Sequence, residues 1–227
     1  ARQDRKAAGR EPITARVVAD MFKAAGSKRM VSVDLHSGQI QGFFDGPVDH
    51  LTAMPVLEKY LRENAREGVV IVSPDTGRVK VAERFAQHLA DMSADVAFVY
   101  KRREKNSVNV SSAKEVIGDV EGRLCVLTDD MIDTAGTITS AADLLLARGA
   151  KEVWAMATHG VLSDPAIERL KKSSISRVVL TNTIPLAEEK RIDRIEVLSV
   201  AKIIADALAA VFEETSVSEL FGGENLA

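Results

Sequence analysis

Residues 124–138 read L-C-V-L-T-D-D-M-I-D-T-A-G-T-I. The apolar run Leu124 to Thr128 predicts a buried strand, and it leads directly into two carboxylates, Asp129 and Asp130. The small-residue turn Thr134-Ala135-Gly136-Thr137 then opens a helix that runs to Arg148 and closes at Gly149. Such a turn exposes consecutive backbone N–H groups at the positive end of a helix, where a phosphate can dock. Thr134 and Thr137 can add hydroxyl donors. The acids cannot face the phosphate, but they can accept hydrogen bonds from sugar hydroxyls. The stretch therefore predicts a seat for a sugar phosphate. The plainer reading is a strand–helix turn in which Asp133 or Thr134 only caps the helix.

The chain around this stretch alternates short Val- and Ile-rich runs with longer runs of helical period. Strands are predicted over Arg29–Asp34, Val69–Ser73, Asp95–Tyr100, Glu152–Thr158 and Val178–Asn182. Helices are predicted from Pro12 to Ala24, Pro55 to Arg66, Val79 to Asp91 and Ser199 to Phe212. In the first of these Ile13, Val17, Met21 and Ala24 trace one face, with Gly26 behind them. The segment with Gly38, Gly42, Gly46 and Pro47 reads as a loop, and so does the polar stretch 101–113. Strands separated by helices imply βαβ units and a parallel sheet, hence an α/β fold.

Composition narrows the function classes. The 227 residues are 46% hydrophobic and 28% charged, with a formal net charge of −3. That balance argues against a nucleic-acid-binding module with a broad basic footprint. Cys125, the single cysteine, cannot form an internal disulfide. There is no apolar run of membrane-spanning length, and residues 1–6 have no signal-peptide form. The expected setting is intracellular and cytoplasmic, away from membranes.

Several predicted strands end in ionisable residues: Asp34 with His36, Asp75, Lys101 with Arg103, Asp129 with Asp130, and His159. Ligands of open parallel sheets bind at the carboxyl ends of the strands, so these endings describe one polar cleft. His36 and Asp75, with water and phosphate oxygens, could hold Mg²⁺, which uses few protein ligands. The plainer role for His36 is a strand-end histidine bonded to backbone. Lys101-Arg102-Arg103 would suit a polyphosphate whose charge grows in a transition state, or would simply be a solvated basic corner. The turn is not a P-loop, because it lacks the lysine and spacing of that motif. No G-x-G-x-x-G follows a strand.

Taken together these motifs resemble the ribose-phosphate pyrophosphokinases, also called phosphoribosyl pyrophosphate synthetases. The matching stretches begin with A-R-Q-D-R-K at 1–6, R-E-P-I-T-A-R at 10–16, V-D-L-H at 33–36 and Q-I-Q-G-F-F-D at 39–45. They continue with V-S-P-D at 72–75, K-R-R at 101–103, D-D-M-I-D-T-A-G-T at 129–137 and S-V-S-E-L-F at 216–221. The D-D-M-I-D-T-A-G-T pattern marks the wider phosphoribosyltransferase fold; V-D-L-H, Q-I-Q-G-F-F-D and A-R-Q-D-R-K point to the synthetases.

The resemblance implies parallel-sheet phosphoribosyltransferase-like domains, of which the N-terminal one is truncated. Residues 1–50 would be the remnant of that domain, 51–198 the C-terminal phosphoribosyltransferase-like domain, and 199–227 a closing helix and tail returning toward the first. The implied reaction converts ATP and ribose 5-phosphate to AMP and 5-phosphoribosyl 1-diphosphate. Arg2 and Gln3 would contact ATP, and His36 and Asp75 would bind Mg²⁺. Lys101 and Arg103 would be catalytic, on a flexible loop. Arg103, Asp129, Asp130, Asp133, Thr134, Ala135, Gly136 and Thr137 would hold ribose 5-phosphate. Ser216 and Ser218 match regulatory serines, with phosphate and ADP as effectors, and the assembly would be a homo-oligomer, a hexamer in the family.

The chain departs from the family at Thr76-Gly77-Arg78, where many members read x-G-G, and it lacks P-R-P-N after Arg103. Ala8 and Gly9 stand where Arg and Ser are frequent. The alternatives are a phosphoribosyltransferase sharing the sugar-phosphate seat, and a non-catalytic partner of active synthetases.

Overall fold

The computed structural model describes residues 2–6, 9–102 and 113–221. It divides into two compact units, residues 1–53 with 200–227, and residues 54–199.

The first unit contains α1 (Thr14–Ala24), β1 (Met30–Val33), β2 (Val48–Leu51) and α6 (Ala201–Phe212). The strands β1 and β2 pair in parallel, Met30 opposite Val48 and Val33 opposite Leu51. The predicted loop after β1 in fact contains a short 3-10 helix, Gly38–Phe43, followed by β2. Its glycines hide a four-residue strand whose Asp49 and His50 break the apolar signal. On α1 the buried positions are Ala15 and Ala19, whereas Val17, Met21 and Phe22 are exposed. The apolar stripe read from the sequence is therefore the outward one among the described residues.

In the second unit the elements are α2 (Met54–Asn64), β3 (Val70–Ser73), α3 (Val79–His88), β4 (Asp95–Arg102), β5 (Ala113–Ile117), β6 (Leu124–Ile132), α4 (Gly136–Ala147), β7 (Glu152–Gly160), α5 (Ala166–Lys172), β8 (Arg177–Thr181) and β9 (Ile195–Leu198). Seven strands form one sheet in the order β5-β4-β3-β6-β7-β8-β9. All its pairings are parallel except β4 with β5. The centre of such a sheet is covered on both faces, which is why V-V-I-V-S and L-C-V-L read as unbroken apolar runs. Val70, Ile71, Val72, Val126 and Leu127 are fully buried. The helices contribute one face each at helical spacing: Leu57 and Leu61 on α2, Ala82, Phe85 and Ala86 on α3, and Ile138, Ala141, Ala142 and Leu145 on α4. Cys125 sits inside this core, where burial pushes its thiol up to about 12.

Three elements, β5, α5 and β9, have no counterpart among the predicted ones. The segments are short, and α5 opens directly after Pro165 in a charged run. Strand β6 runs four residues past Thr128, because β7 continues to pair with it as far as Ile132 opposite Gly160. Asp129 and Asp130 therefore lie inside the strand.

The antiparallel β4–β5 edge depends on Gly118, which follows β5 at φ +116. A Cβ there would lie 2.7 Å from the Ala97 Cβ and 2.8 Å from the Val96 carbonyl oxygen, and backbone cannot yield as a side chain can. Gly118→Ala should cost about 2–4 kcal/mol through strain and overpacking. Urea denaturation checks this; a loss under 1 kcal/mol (within the ordinary scatter of surface substitutions, about 0.5 kcal/mol) would show that the edge relaxes freely.

Candidate active site

The chain leaves β3 for β4 on one side and later returns to pair β6 on the other side of β3. That reversal makes a crevice beyond the carboxyl ends of β3 and β6, the place where open α/β sheets bind ligands. Ser73 lies opposite Phe98, and Val72 opposite Leu127. Asp75, Lys101 and Asp129 lie two to three residues beyond those partners, so all three are at the same sheet edge. The backbone of Lys101 pairs with Lys114 of β5 rather than lying in a loop. Arg103 is outside the described residues.

Asp75 follows β3 and caps a short 3-10 turn, Thr76–Arg78, by accepting the Gly77 N–H at 2.8 Å through Oδ1. The turn delivers Arg78 to the end of β6. There its Nε lies 3.0 Å from Asp129 Oδ1 and its Nη2 lies 3.1 Å from Asp130 Oδ1. Asp129 Oδ1 also accepts the Asp130 N–H at 2.8 Å. The Asp130 side chain is 2% exposed and that of Asp129 26%. Burial, with help from the adjoining Asp130 carboxyl and against the opposing pull of Arg78, pushes the Asp129 carboxyl up to about 7.

That raised value has a measurable consequence. The folded chain holds a proton on Asp129 that an unfolded aspartate, near 3.8, has already lost. This contribution to stability is full below the unfolded value and is lost as pH rises toward about 7. Asparagine does not ionise, so Asp129→Asn should gain on the parent between pH 5 and pH 8 by on the order of 1–3 kcal/mol. Urea unfolding at the two pH values tests this, and a difference that does not grow with pH would mean that Arg78 keeps Asp129 charged throughout.

Beyond β6 the chain turns through Asp133, Thr134 and Ala135 into α4. Ala135 adopts the left-handed conformation at φ 61 and supplies no side-chain cap. The first helical amide bond in this region is Thr139 N–H to the Ala135 carbonyl. The amides of Gly136, Thr137 and Ile138 thus have no partner within the helix. Thr134 and Thr137 are exposed and Gly136 is half-buried. The N-cap position of this twelve-residue helix is Ala135, which makes no side-chain cap, so neither Asp133 nor Thr134 stands at the cap position. Arg169 of α5 donates from Nη1 to the Thr134 carbonyl at 2.9 Å and lies 3.2 Å from the position of a Cβ on Gly136. Nothing in the sequence flagged Arg169, which stands in a run with Lys171 and Lys172 that reads as a solvated face. Arg194 donates to the carbonyls of Leu170, Ser173 and Ile175, closing the other end of α5 and fixing the helix that carries Arg169. His159 lies at the end of β7, 2.9 Å from Thr183 Oγ1.

The remaining candidates belong to the first unit. His36 is exposed, on the segment after β1. Beside it, Asp4 accepts from Ser37 Oγ at 2.7 Å and from Gln39 Nε2 at 2.8 Å. The Ser37 hydrogen bond holds the Asp4 carboxyl below its usual range, with nearby His36 assisting. Gln3 is tied to α1, accepting from the Thr14 hydroxyl and the Ala15 amide, while Arg2 is exposed. Ser216 and Ser218 are exposed near the C-terminal 3-10 helix. Among the described residues no three His, Cys, Asp or Glu side chains cluster as a metal cage, and no helix is long and apolar enough to cross a membrane.

Comparison with known proteins gives consistent matches. The family model described as "Phosphoribosyl synthetase-associated domain" matches residues 99–222, and "N-terminal domain of ribose phosphate pyrophosphokinase" matches residues 1–26. The ribose-phosphate pyrophosphokinase of Streptomyces coelicolor is 55% identical over 222 residues, covering 97% of this chain and 68% of that protein. That of Mycobacterium tuberculosis is 51% identical over 225 residues, covering 99% and 68%. The crystal structure of phosphoribosylpyrophosphate synthetase from Mycobacterium smegmatis superposes with a TM-score of 0.86 at 52% identity, covering 94% of this chain and 68% of that one. This chain thus spans about two-thirds of the length of these relatives.

Proposed function

The chain belongs to the ribose-phosphate pyrophosphokinase family, a family of transferases, and from that premise we propose that it serves the transfer of the β,γ-diphosphoryl group of ATP to ribose 5-phosphate. The observation that carries this reading is the pairing of a carboxylate, Asp129, with the open amide end of α4 at the switch point of the sheet. A pentose phosphate meets both halves: the 5-phosphate is received by the Gly136, Thr137 and Ile138 amides, and the ring hydroxyls by Asp129. Thr134, Thr137 and the Arg169 guanidinium border the phosphate, and Ala135 sets the turn.

The anomeric hydroxyl oxygen attacks the β-phosphorus in line. Its proton leaves to solvent or base, the bond between the β-phosphorus and the α,β-bridging oxygen breaks, and that electron pair departs on AMP. Charge grows on the transferring oxygens, and Lys101 and Arg103 are the proposed source of positive charge for it. Asp75 fits Mg²⁺: it is a hard oxygen donor, Gly77 already orients it through one oxygen, and Mg²⁺ takes one or two carboxylates with phosphate oxygens completing the shell. His36 is the second proposed ligand, and the ion would neutralise the diphosphoryl oxygens. Arg2 and Gln3 are the proposed ATP contacts. Phosphate and ADP as effectors, Ser216 and Ser218 as their contacts, a hexameric assembly and a cytoplasmic setting complete the proposal.

The test is AMP release from ATP by the complete chain, with and without ribose 5-phosphate. The expected result is release that requires both the sugar phosphate and Mg²⁺. Release that instead requires a purine or pyrimidine base and 5-phosphoribosyl 1-diphosphate, with pyrophosphate as product, would assign the chain to base transfer.

A further inference from the structure

Resting on the pentose-phosphate reading above, we propose that Arg78 is a positioning residue that selects which oxygen of the acid pair the sugar meets. The two carboxylates are sequence neighbours on β6 and are not equivalent. Asp130 is almost wholly buried and takes both Nε, at 3.3 Å, and Nη2, at 3.1 Å, of Arg78 on one oxygen. Asp129 has Oδ1 engaged twice, by Arg78 Nε and by the Asp130 amide. Arg78 and the backbone leave its Oδ2 unengaged, though the Asp130 carboxyl lies against this side chain, which is the more exposed of the two.

The clamp therefore leaves Oδ2 of Asp129 as the oxygen a ligand could reach. Asp130 serves as Arg78's counter-charge and not as a sugar contact. The arrangement needs a planar, forked cation. A lysine ammonium is a point charge that can neutralise one carboxylate but cannot hold two oxygens at fixed angles. Arg78 itself lies in a short turn whose cap is Asp75, so one segment carries the metal-ligand candidate and the residue that holds the proposed sugar acceptor. The same position is where this sequence parts from the x-G-G of many family members.

The experiment compares, in the complete chain, the affinities of ribose 5-phosphate and of 2,3-dideoxyribose 5-phosphate by calorimetry. At pH 8, where Asp129 is ionised, the parent should prefer the hydroxylated sugar by roughly 10–100-fold, the worth of hydrogen bonds to a charged acceptor. In Arg78→Lys this preference should collapse to about threefold, with the dideoxy sugar bound as tightly as before. The double variant Arg78→Gln with Asp130→Asn removes the unpaired buried charge; it should restore thermal stability to Arg78→Gln without restoring the preference. Equal weakening of both sugars would mean that Arg78 acts on the phosphate or the fold, and a preference unchanged in Arg78→Lys would remove its positioning role. A parent that binds neither sugar ends the pentose-phosphate reading itself, and this proposal with it.

Discussion

Lys101→Ala in the complete chain should lower turnover by on the order of 10²–10³-fold while ribose 5-phosphate affinity stays within about threefold. The expectation follows from where the residue lies and what the reaction asks of it. Register places Lys101 at the carboxyl edge of β4, the strand next to β3, on the edge that also carries Asp75 and Asp129. It is held there by pairing with β5, so its Cα position is part of the sheet. Negative charge on the diphosphoryl oxygens increases only as the bond to AMP stretches. A cation that meets those oxygens would stabilise the transition state more than the ground state, so its loss would appear in kcat and not in sugar binding. Lys101→Arg, which keeps the charge but changes its reach, should recover part of the rate. Steady-state AMP release together with sugar titration reads both quantities. Undiminished turnover in Lys101→Ala would remove the residue from the chemistry, and a parallel loss of sugar affinity would make it a binding residue instead.

The sequence was most legible where burial is complete. The runs V-V-I-V-S and L-C-V-L are unbroken because both faces of β3 and β6 are covered, and such runs leave little choice of element. The existence of α2, α3 and α4 was equally legible, since each buries a single stripe, whereas the stripe read on α1 is the exposed one. Legibility failed at the sheet margins. Strands β2, β5 and β9 are four or five residues long and only partly covered, so charged residues interrupt them. It failed again at the end of β6, where carboxylates look like a strand terminus but are paired to β7 through Asp129 and Met131. The open end of α4 was readable because turn chemistry is local: small residues followed by an apolar period announce it. The arginines around it were not. Arg78 reaches Asp129 and Arg169 reaches the Thr134 carbonyl from segments 51 and 35 residues away in sequence, and no one-dimensional signal links them. Arg78 drew notice only as a departure from a pattern, and its partners emerged only from the fold.

Gly136→Asp should separate folding from binding at this seat by moving them in opposite directions. Gly136 is the first residue of α4, and its neighbour Ala135 offers no side-chain cap. A carboxylate in the first helical turn is favoured by the helix dipole by about 0.3–1 kcal/mol. The new Cβ would also lie 3.2 Å from Arg169 Nη1, close enough for an ion pair once that flexible side chain adjusts. Thermal stability should therefore hold or rise. Yet the same carboxylate would stand among the amides proposed to receive the 5-phosphate and would capture the neighbouring guanidinium. Like charges at that separation cost several kcal/mol in a partly desolvated site, so ribose 5-phosphate should bind on the order of 10²–10³-fold more weakly. Gly136→Ala is the control for size alone: it displaces Arg169 without adding charge, and its effect should stay near tenfold or below. A chain that keeps its melting temperature, loses the sugar phosphate in Gly136→Asp and nearly retains it in Gly136→Ala can be explained only by an anion at the head of α4. If Gly136→Asp instead binds ribose 5-phosphate as the parent does, the phosphate lies elsewhere, and Asp129 loses the partner that makes it a sugar acceptor.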